Sequence, residues 1–224
     1  METLKFIFIS LILLSFFGCK KKEVDELQFE KDVINSVFLE VVDSIYMDRR
    51  IISPPPPPRF NSETNKVDTT GHRKELKEYW HHRDSIKNDK ARILIAVNDL
   101  VGKISRFDKE LLDENCKKIH CIYDKTKERK SLKFDLIPFK NNKKFDFQYL
   151  SKFPKFDTGN YQIYPTPVGS IEISRIQFNK TKTRGILPAD ASCGGGKCGR
   201  GFLIIIENKS GKWKIAKVIH TWVS

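Results

Sequence analysis

The chain has 224 residues, 39% of them hydrophobic, and it carries a formal net charge of +13 at pH 7. This apolar content is enough for the core of one domain, so a chain that is disordered throughout is excluded. The basic surplus favours anionic lipid or anionic glycan as a partner, or reflects only a lysine-rich surface, and the scattered lysines form no motif that would indicate a nucleic-acid partner.

The first eighteen residues have the layout of a secretory signal peptide. Lys5 gives a small positive region, and the stretch from Phe6 to Phe17 is almost wholly apolar. A run of about 12 residues is too short to span a bilayer, which needs about 20, and it matches the hydrophobic region of a signal peptide. Gly18 and Cys19 end this run, and three lysines follow.

The stretch Phe16-Phe17-Gly18-Cys19 resembles the lipobox of bacterial lipoproteins. The resemblance implies cleavage before Cys19 and attachment of fatty-acyl (palmitate) chains, so that Cys19 anchors the protein to membrane lipid. Two acyl chains hold a protein stably, and each following lysine adds about 1 kcal/mol at an anionic surface. Residues 1–18 are then the signal peptide, residues 19–26 a lipidated tether and residues 27–224 a single domain. The alternative is an ordinary signal peptide with an incidental cysteine, or an uncleaved anchor.

The spacing of apolar residues predicts an amphipathic helix over residues 27–47. Apolar side chains recur at i, i+3, i+4 and i+7 intervals, at Ile34, Val37, Phe38, Val41 and Ile45. Because this stripe has the width that a globular domain buries, a core-facing helix is favoured over one that binds a groove or a membrane surface.

Five consecutive prolines, Pro54–Pro58, follow this helix. They cannot join a helix interior or a central strand, and they are expected to form polyproline II about 15 Å long, at about 3.1 Å per residue. In an exported protein a stiff spacer is favoured over a ligand for an aromatic groove. We therefore predict a Pro-rich loop over residues 48–72, followed by a short helix over residues 73–84.

The remainder of the chain predicts mainly strands. A buried strand is expected at residues 93–97 and half-buried strands at 132–137 and 145–149, with a helical turn or two at residues 106–114. The alternation that starts at Ile171 changes parity near Arg175, which indicates a bulge or a strand buried on both faces. Further strands are expected at residues 183–187, 201–207 and 212–223, with a hairpin turn at 208–211. The predicted fold is α+β, with the N-terminal amphipathic helix packed on a C-terminal antiparallel β-meander.

Three short C-terminal stretches resemble uncharacterised lipoproteins and secreted proteins of Bacteroidetes-type bacteria. They are Ser174–Asn179, Gly211–Ile215 and Trp222–Ser224. The resemblance implies an origin and a fold type, and it carries no catalytic residue or cofactor to this chain. The mature protein is thus expected in the bacterial cell envelope at the outer membrane, on either its periplasmic or its surface side.

Four cysteines remain besides Cys19, namely Cys116, Cys121, Cys193 and Cys198. An even number in an oxidising compartment predicts disulfides, and four cysteines allow three connectivities. The local pairs 116–121 and 193–198 are the simplest, but each needs a turn, because bridged Cα atoms lie about 4.4–6.8 Å apart. Glycines 194–196 supply such a turn readily and residues 117–120 less readily, so pairing between the two clusters stays open.

No residue set indicates a catalytic or metal centre. A zinc site is disfavoured, because a Cys-x4-Cys gap exceeds the usual two residues and oxidation competes with metal binding. The adjacent His81 and His82 do not share a helix face, and His220 is expected beside the sheet. We therefore expect a binding or structural role without a cofactor, and no protein partner is indicated. The alternative is an envelope hydrolase or glycan-acting enzyme whose site is assembled from dispersed residues.

Overall fold

A computed structural model describes residues 25–52, 54–62, 64–102, 109–121, 130–153, 167–193 and 198–224. The predicted leader and the predicted lipidation site at Cys19 lie outside these ranges. The chain divides into two compact units, Met1–Ile34 and Asn35–Ser224. No helix within the described ranges is both long enough and apolar enough to span a membrane.

Four α-helices occur in the described residues, at Glu26–Ile45 (α1), Arg49–Ile52 (α2), Thr69–Lys87 (α3) and Lys109–Ile119 (α4). Helix α1 confirms the amphipathic helix expected at residues 27–47, and all five stripe residues from Ile34 to Ile45 are buried. Its first turn is capped by Asp25, whose carboxylate accepts the backbone N–H of Leu27 at 2.9 Å.

Two helical predictions differ from the structure. The expected loop at residues 48–72 contains the one-turn helix α2 and the start of α3, because Asp68 caps α3 by accepting the N–H of Gly71 at 2.9 Å. Helix α3 therefore starts four residues before the predicted short helix at 73–84 and ends three residues after it. Helix α4 continues to Ile119, beyond the turn or two expected at 106–114.

Nine strands are present in the described ranges. Their bounds are Ile93–Val97 (β1), Leu100–Val101 (β2), Leu132–Lys133 (β3), Phe145–Tyr149 (β4), Gly169–Ile173 (β5), Gln177–Phe178 (β6), Arg184–Ser192 (β7), Gly199–Lys209 (β8) and Lys212–Val223 (β9). Strand β3 is shorter than the strand expected at 132–137, because the N–H of Leu136 donates to the Tyr149 hydroxyl at 3.4 Å instead of to a neighbouring strand, and a 3-10 helix follows at Ile137–Phe139.

Seven of these strands form one sheet in the order β4-β1-β5-β7-β8-β9, with β6 also paired to β7, while β2 and β3 form a separate pair. Strands β5, β7, β8 and β9 are antiparallel neighbours, as the predicted meander requires. Strand β1 adds parallel pairings with β4 and β5, so the whole sheet is mixed. The protein is therefore an α+β protein with a larger sheet than the C-terminal meander alone.

The parity change near Arg175 is a bulge between β5 and β6. Ile173 pairs with Ala189, and Gln177 pairs with Ile186. Between these two pairs the chain moves four residues along from β5 to β6 but only three residues along β7. One extra residue is the defining feature of a β-bulge. The predicted irregularity is thus confirmed.

Helices cover both faces of the sheet within the unit Asn35–Ser224. On one face, the ring of Phe38 from α1 lies 5.2 Å from the ring of Phe147 on β4. On the other face, Leu112 and Cys116 of α4 pack with Leu203 of β8. Burying one such large apolar side chain stabilises the fold by about 1.5–3 kcal/mol, so both helices contribute to the core.

Candidate functional site

A buried aspartate and a fixed arginine follow directly after α1. Asp48 is only 7% exposed. Arg50 Nε donates to both carboxylate oxygens of Asp48 at 2.9 and 3.1 Å, and Arg50 Nη2 donates to Oδ2 at 2.7 Å. The pKa of the Arg50 guanidinium is raised above its ordinary value, chiefly by its hydrogen bonds to Asp48. Arg50 is therefore a permanent positive charge in a set orientation.

Arg50 keeps hydrogen-bonding capacity after this pairing. A guanidinium has five N–H donors, and the contacts with Asp48 use the one on Nε and one on Nη2. Nη1 lies 3.8 Å from the carboxylate of Asp89, which is beyond hydrogen-bond distance. Among the residues that the structure describes, no hydrogen bond uses the remaining donors, which are therefore available to a ligand beside Arg50.

Arg50 lines a cavity of about 380 Å³, a volume within the range of small-molecule sites. The half-buried part of the lining includes Ile51, Ile86 and Ile93, and the charged part has five cations against two carboxylates. The cations are Arg50, Lys87, Lys90, Lys143 and Lys144, and the carboxylates are Asp48 and Asp89. This cavity, here called the basic cleft, has a net positive lining that also includes apolar side chains.

One of the four lysines is already paired. Lys144 Nζ forms a close ion pair with Asp43, and it lies 5.1 Å from the ring centroid of Tyr46 and 5.0 Å from that of Phe145. The hydrogen bond to Asp43 is the main cause of a raised pKa at Lys144. Within the described ranges no carboxylate pairs with Lys87, Lys90 or Lys143. Three ammonium groups thus remain for a ligand.

Local turns place the cleft residues. The side-chain oxygen of Asn142 accepts the N–H groups of Lys144 at 2.9 Å and of Phe145 at 2.7 Å, at the start of β4. The carboxylate of Asp89 accepts the N–H of Ala91 at 2.8 Å, before β1. Such Asn and Asp turns fix the backbone without help from distant residues.

The segment that carries Asp48 is held against β5. The N–H of Arg49 donates to the carbonyl oxygen of Val168 at 3.1 Å. At Gly169 a Cβ would lie 2.5 Å from the carbonyl oxygen of Met47 and 2.6 Å from that of Ser192. Glycine is therefore required there, because a side chain would push the backbone of the cleft away from the sheet.

The two local disulfides are present. Cys116 is bonded to Cys121 with a Cα–Cα distance of 4.8 Å, and Cys193 is bonded to Cys198 at 5.6 Å. The pairing between clusters that the spacing left open is therefore wrong. Cys193 and Cys198 extend the β7–β8 hairpin by one step, since the N–H of Cys193 donates to the carbonyl of Cys198 at 3.0 Å.

The first disulfide closes the C-terminus of α4. His120 has a positive φ of 56°. The N–H of Cys121 donates to the carbonyl oxygen of Cys116 at 2.9 Å, and the N–H of His120 donates to the carbonyl oxygen of Lys117 at 3.4 Å. This is the Schellman pattern, with histidine where glycine is usual. The turn that residues 117–120 were expected to supply less readily is thus made by a helix cap.

His81, His82 and His220 lie outside the basic cleft. His81 and His82 are exposed neighbours in α3, and the ring of His220 lies 4.8 Å from that of Phe202 beside the sheet, as expected. Across the described part of the chain, no three His, Cys, Asp or Glu side chains are grouped so that they could hold a metal ion.

Two carboxylates meet on the sheet, which the sequence did not indicate. Glu172 of β5 is the cross-strand partner of Asp190 on β7. Such partners have Cβ atoms about 4.5–5.5 Å apart. Paired carboxylates are the residue types of glycoside hydrolysis, but neither residue lines the basic cleft.

The basic cleft itself was not predicted from the sequence. Its residues come from the segment after α1 that contains α2, from the end of α3 and the start of β1, and from the two residues before β4, and these segments are far apart in the chain. One part of the cleft has a local sequence signal. Asp48 stands before Arg49 and Arg50, directly after the amphipathic helix, and aspartate is a preferred residue at the start of a further helix.

Comparisons with protein-family models, with curated proteins and with solved structures found no match to this chain. The geometry of the basic cleft is therefore the basis for assigning a function.

Proposed function

We propose that this protein is a lipid-anchored protein of the bacterial cell envelope whose folded domain binds an anionic ligand in the basic cleft. The observation that carries the binding role is the arrangement around Arg50. A buried carboxylate orients this guanidinium, and Lys87, Lys90 and Lys143 line the same cavity. The anchoring role is supported by the signal-peptide pattern and by the lipobox resemblance at Cys19.

The electrostatics of the cleft favour an anion. Like charges that line one cavity repel each other, and a concave wall of low dielectric focuses their field. An oxyanion relieves this repulsion and accepts charge-assisted hydrogen bonds from Arg50 and the lysines. Anionic lipid head groups and anionic glycans are the ligands of this charge that an envelope supplies.

An envelope hydrolase or glycan-acting enzyme is the second candidate. Among the described residues, the cross-strand pair of Glu172 and Asp190 favours it, because two neighbouring carboxylates can divide the roles of acid and base. Binding is the better supported role, since the cleft combines an oriented guanidinium at Arg50 with a net positive lining. A glycosidase activity that Glu172→Gln abolishes without unfolding the protein would favour the enzyme.

The binding proposal is tested by calorimetric titration of the mature chain with galacturonate and with inorganic phosphate at low ionic strength. We expect Lys87→Ala/Lys90→Ala to weaken binding at least about tenfold, equivalent to about 1.4 kcal/mol. The matched control, Lys212→Ala/Lys217→Ala, removes the same charge from exposed positions on β9 and is expected to change affinity less than about twofold. Equal losses in both variants would show that binding follows net charge alone and would contradict a site in the cleft.

A further inference from the structure

An exposed tryptophan on α3 lies close to the basic cleft. Trp80 is 49% exposed, and none of the residues of α3 is buried. Tyrosine and tryptophan are enriched at binding interfaces, because each combines an apolar body with a polar end. Helix α3 also supplies Ile86 and Lys87 to the cleft lining, so both features belong to one helix.

The indole of Trp80 is held in place by its neighbours. Tyr79 meets it edge-on, with ring centroids 5.0 Å apart and an interplanar angle of 75°. The guanidinium carbon of Arg83 lies 5.4 Å from the Trp80 ring centroid and 5.5 Å from that of Tyr79. Arg83 Nη1 also donates to the Tyr79 hydroxyl at 2.7 Å. A fixed aromatic surface loses little entropy when a ligand binds.

This surface and the cleft are aligned along the helix. Trp80, Arg83 and Lys87 are three and seven residues apart, which places them on one stripe of α3. Seven residues correspond to about 10.5 Å along a helix axis, at about 1.5 Å per residue. A ligand that reaches from Lys87 toward the helix N-terminus therefore passes over Arg83 to Trp80.

Resting on the proposed binding function, we infer that the ligand is an anionic oligosaccharide. Its carboxylate, sulfate or phosphate group binds Arg50 and the cleft lysines, and a neighbouring sugar ring stacks on Trp80. A sugar ring has an apolar C–H face that suits an indole and a polar edge that suits water or Arg83. The charged groups of a single chain enter a concave cleft, whereas a bilayer surface is too flat to present its head groups inside it.

The test compares two lengths of one ligand. Galacturonate and an oligogalacturonate are titrated into the mature chain, followed by tryptophan fluorescence and calorimetry, with the methyl-esterified oligosaccharide as the uncharged control. We expect the oligosaccharide to bind at least about tenfold more tightly than the monomer and the esterified form not to bind. Trp80→Ala should remove this length advantage and leave the affinity for the monomer unchanged.

Phe60→Ala is the matched aromatic control, because Phe60 is 61% exposed and lies outside α3. Phe60→Ala should leave the affinities for galacturonate and for the oligogalacturonate unchanged. If Trp80→Ala has no effect while Lys87→Ala/Lys90→Ala abolishes binding of both lengths, the sugar-stacking inference is overturned and the cleft remains an anion site. If the lysine variant binds both ligands normally, the proposed function fails as well. If vesicles of anionic phospholipid bind in a Trp80-dependent manner and oligogalacturonate does not, a membrane surface replaces the oligosaccharide.

Discussion

Gly169 shows at the scale of one residue how tightly the backbone beside the basic cleft is packed. An added Cβ would lie 2.5 Å from the carbonyl oxygen of Met47 and 2.6 Å from that of Ser192, and both atoms belong to backbone that cannot rotate away. We expect Gly169→Ala to lower the free energy of unfolding by about 1–3 kcal/mol, as overpacked sites do. Urea titration followed by circular dichroism measures this change.

Gly102→Ala is the matched control for this prediction. The nearest atom to its added Cβ is a carboxylate oxygen of Glu172 at 2.9 Å, at the end of a side chain that can move. This variant should lower the free energy of unfolding less than Gly169→Ala does, by a margin of about 1 kcal/mol or more. Equal losses in the two variants would mean that the backbone contact at Met47 does not constrain the fold.

At the scale of a secondary-structure element, the C-terminus of α4 is closed by a covalent bond. The disulfide from Cys116 to Cys121 joins the two ends of the Schellman turn and holds His120 at a positive φ of 56°. Closing a loop of about six residues contributes about 2 kcal/mol in the chain-entropy model. We expect Cys116→Ala/Cys121→Ala to lose about this much stability and to unravel the last turn of α4, which hydrogen exchange would detect at residues 118–121.

Cys193→Ala/Cys198→Ala is the corresponding control, since its loop has the same length. Its ends are already held by the β7–β8 ladder, from Arg184↔Glu207 to Ser192↔Gly199. It should lose similar stability but leave the exchange of α4 unchanged. Retained protection at residues 118–121 in the first variant would show that the cap forms without the disulfide.

At the scale of the whole molecule, the proposed envelope location rests on the proposed anchor at Cys19. Two acyl chains hold a protein stably at a membrane, whereas electrostatic attraction by three lysines is weak and depends on salt. We expect Cys19→Ala to leave the membrane fraction or to remain unprocessed, as measured by fractionation and by the mass of the N-terminal peptide. Lys20→Ala/Lys21→Ala/Lys22→Ala keeps the thiol and should stay membrane-bound. A Cys19→Ala protein that fractionates and migrates like the wild type contradicts the lipoprotein proposal.

Local periodicity predicted the elements that bury one face. The stripe from Ile34 to Ile45 identified α1, and alternating residues identified β4 and β5. The continuous apolar run at residues 202–206 and the turn at 208–211 identified the hairpin of β8 and β9. Helix α3 was predicted too short because it buries no residue, so its sequence has no strong apolar period, and its start is decided by the cap at Asp68. Strand β3 was predicted too long because the residues after Lys133 alternate like a strand but bond to a side chain and then enter a 3-10 helix.

The sequence by itself determined the features that depend on neighbours in the chain. These are the leader pattern, the amphipathic helix, the strand periods and the spacing that lets each cysteine pair close locally. The tertiary structure alone decided the parallel pairing of β1, the meeting of Glu172 with Asp190, and the basic cleft. The reason is physical: contacts between residues far apart in the chain depend on which faces the core buries, and no local propensity records that choice.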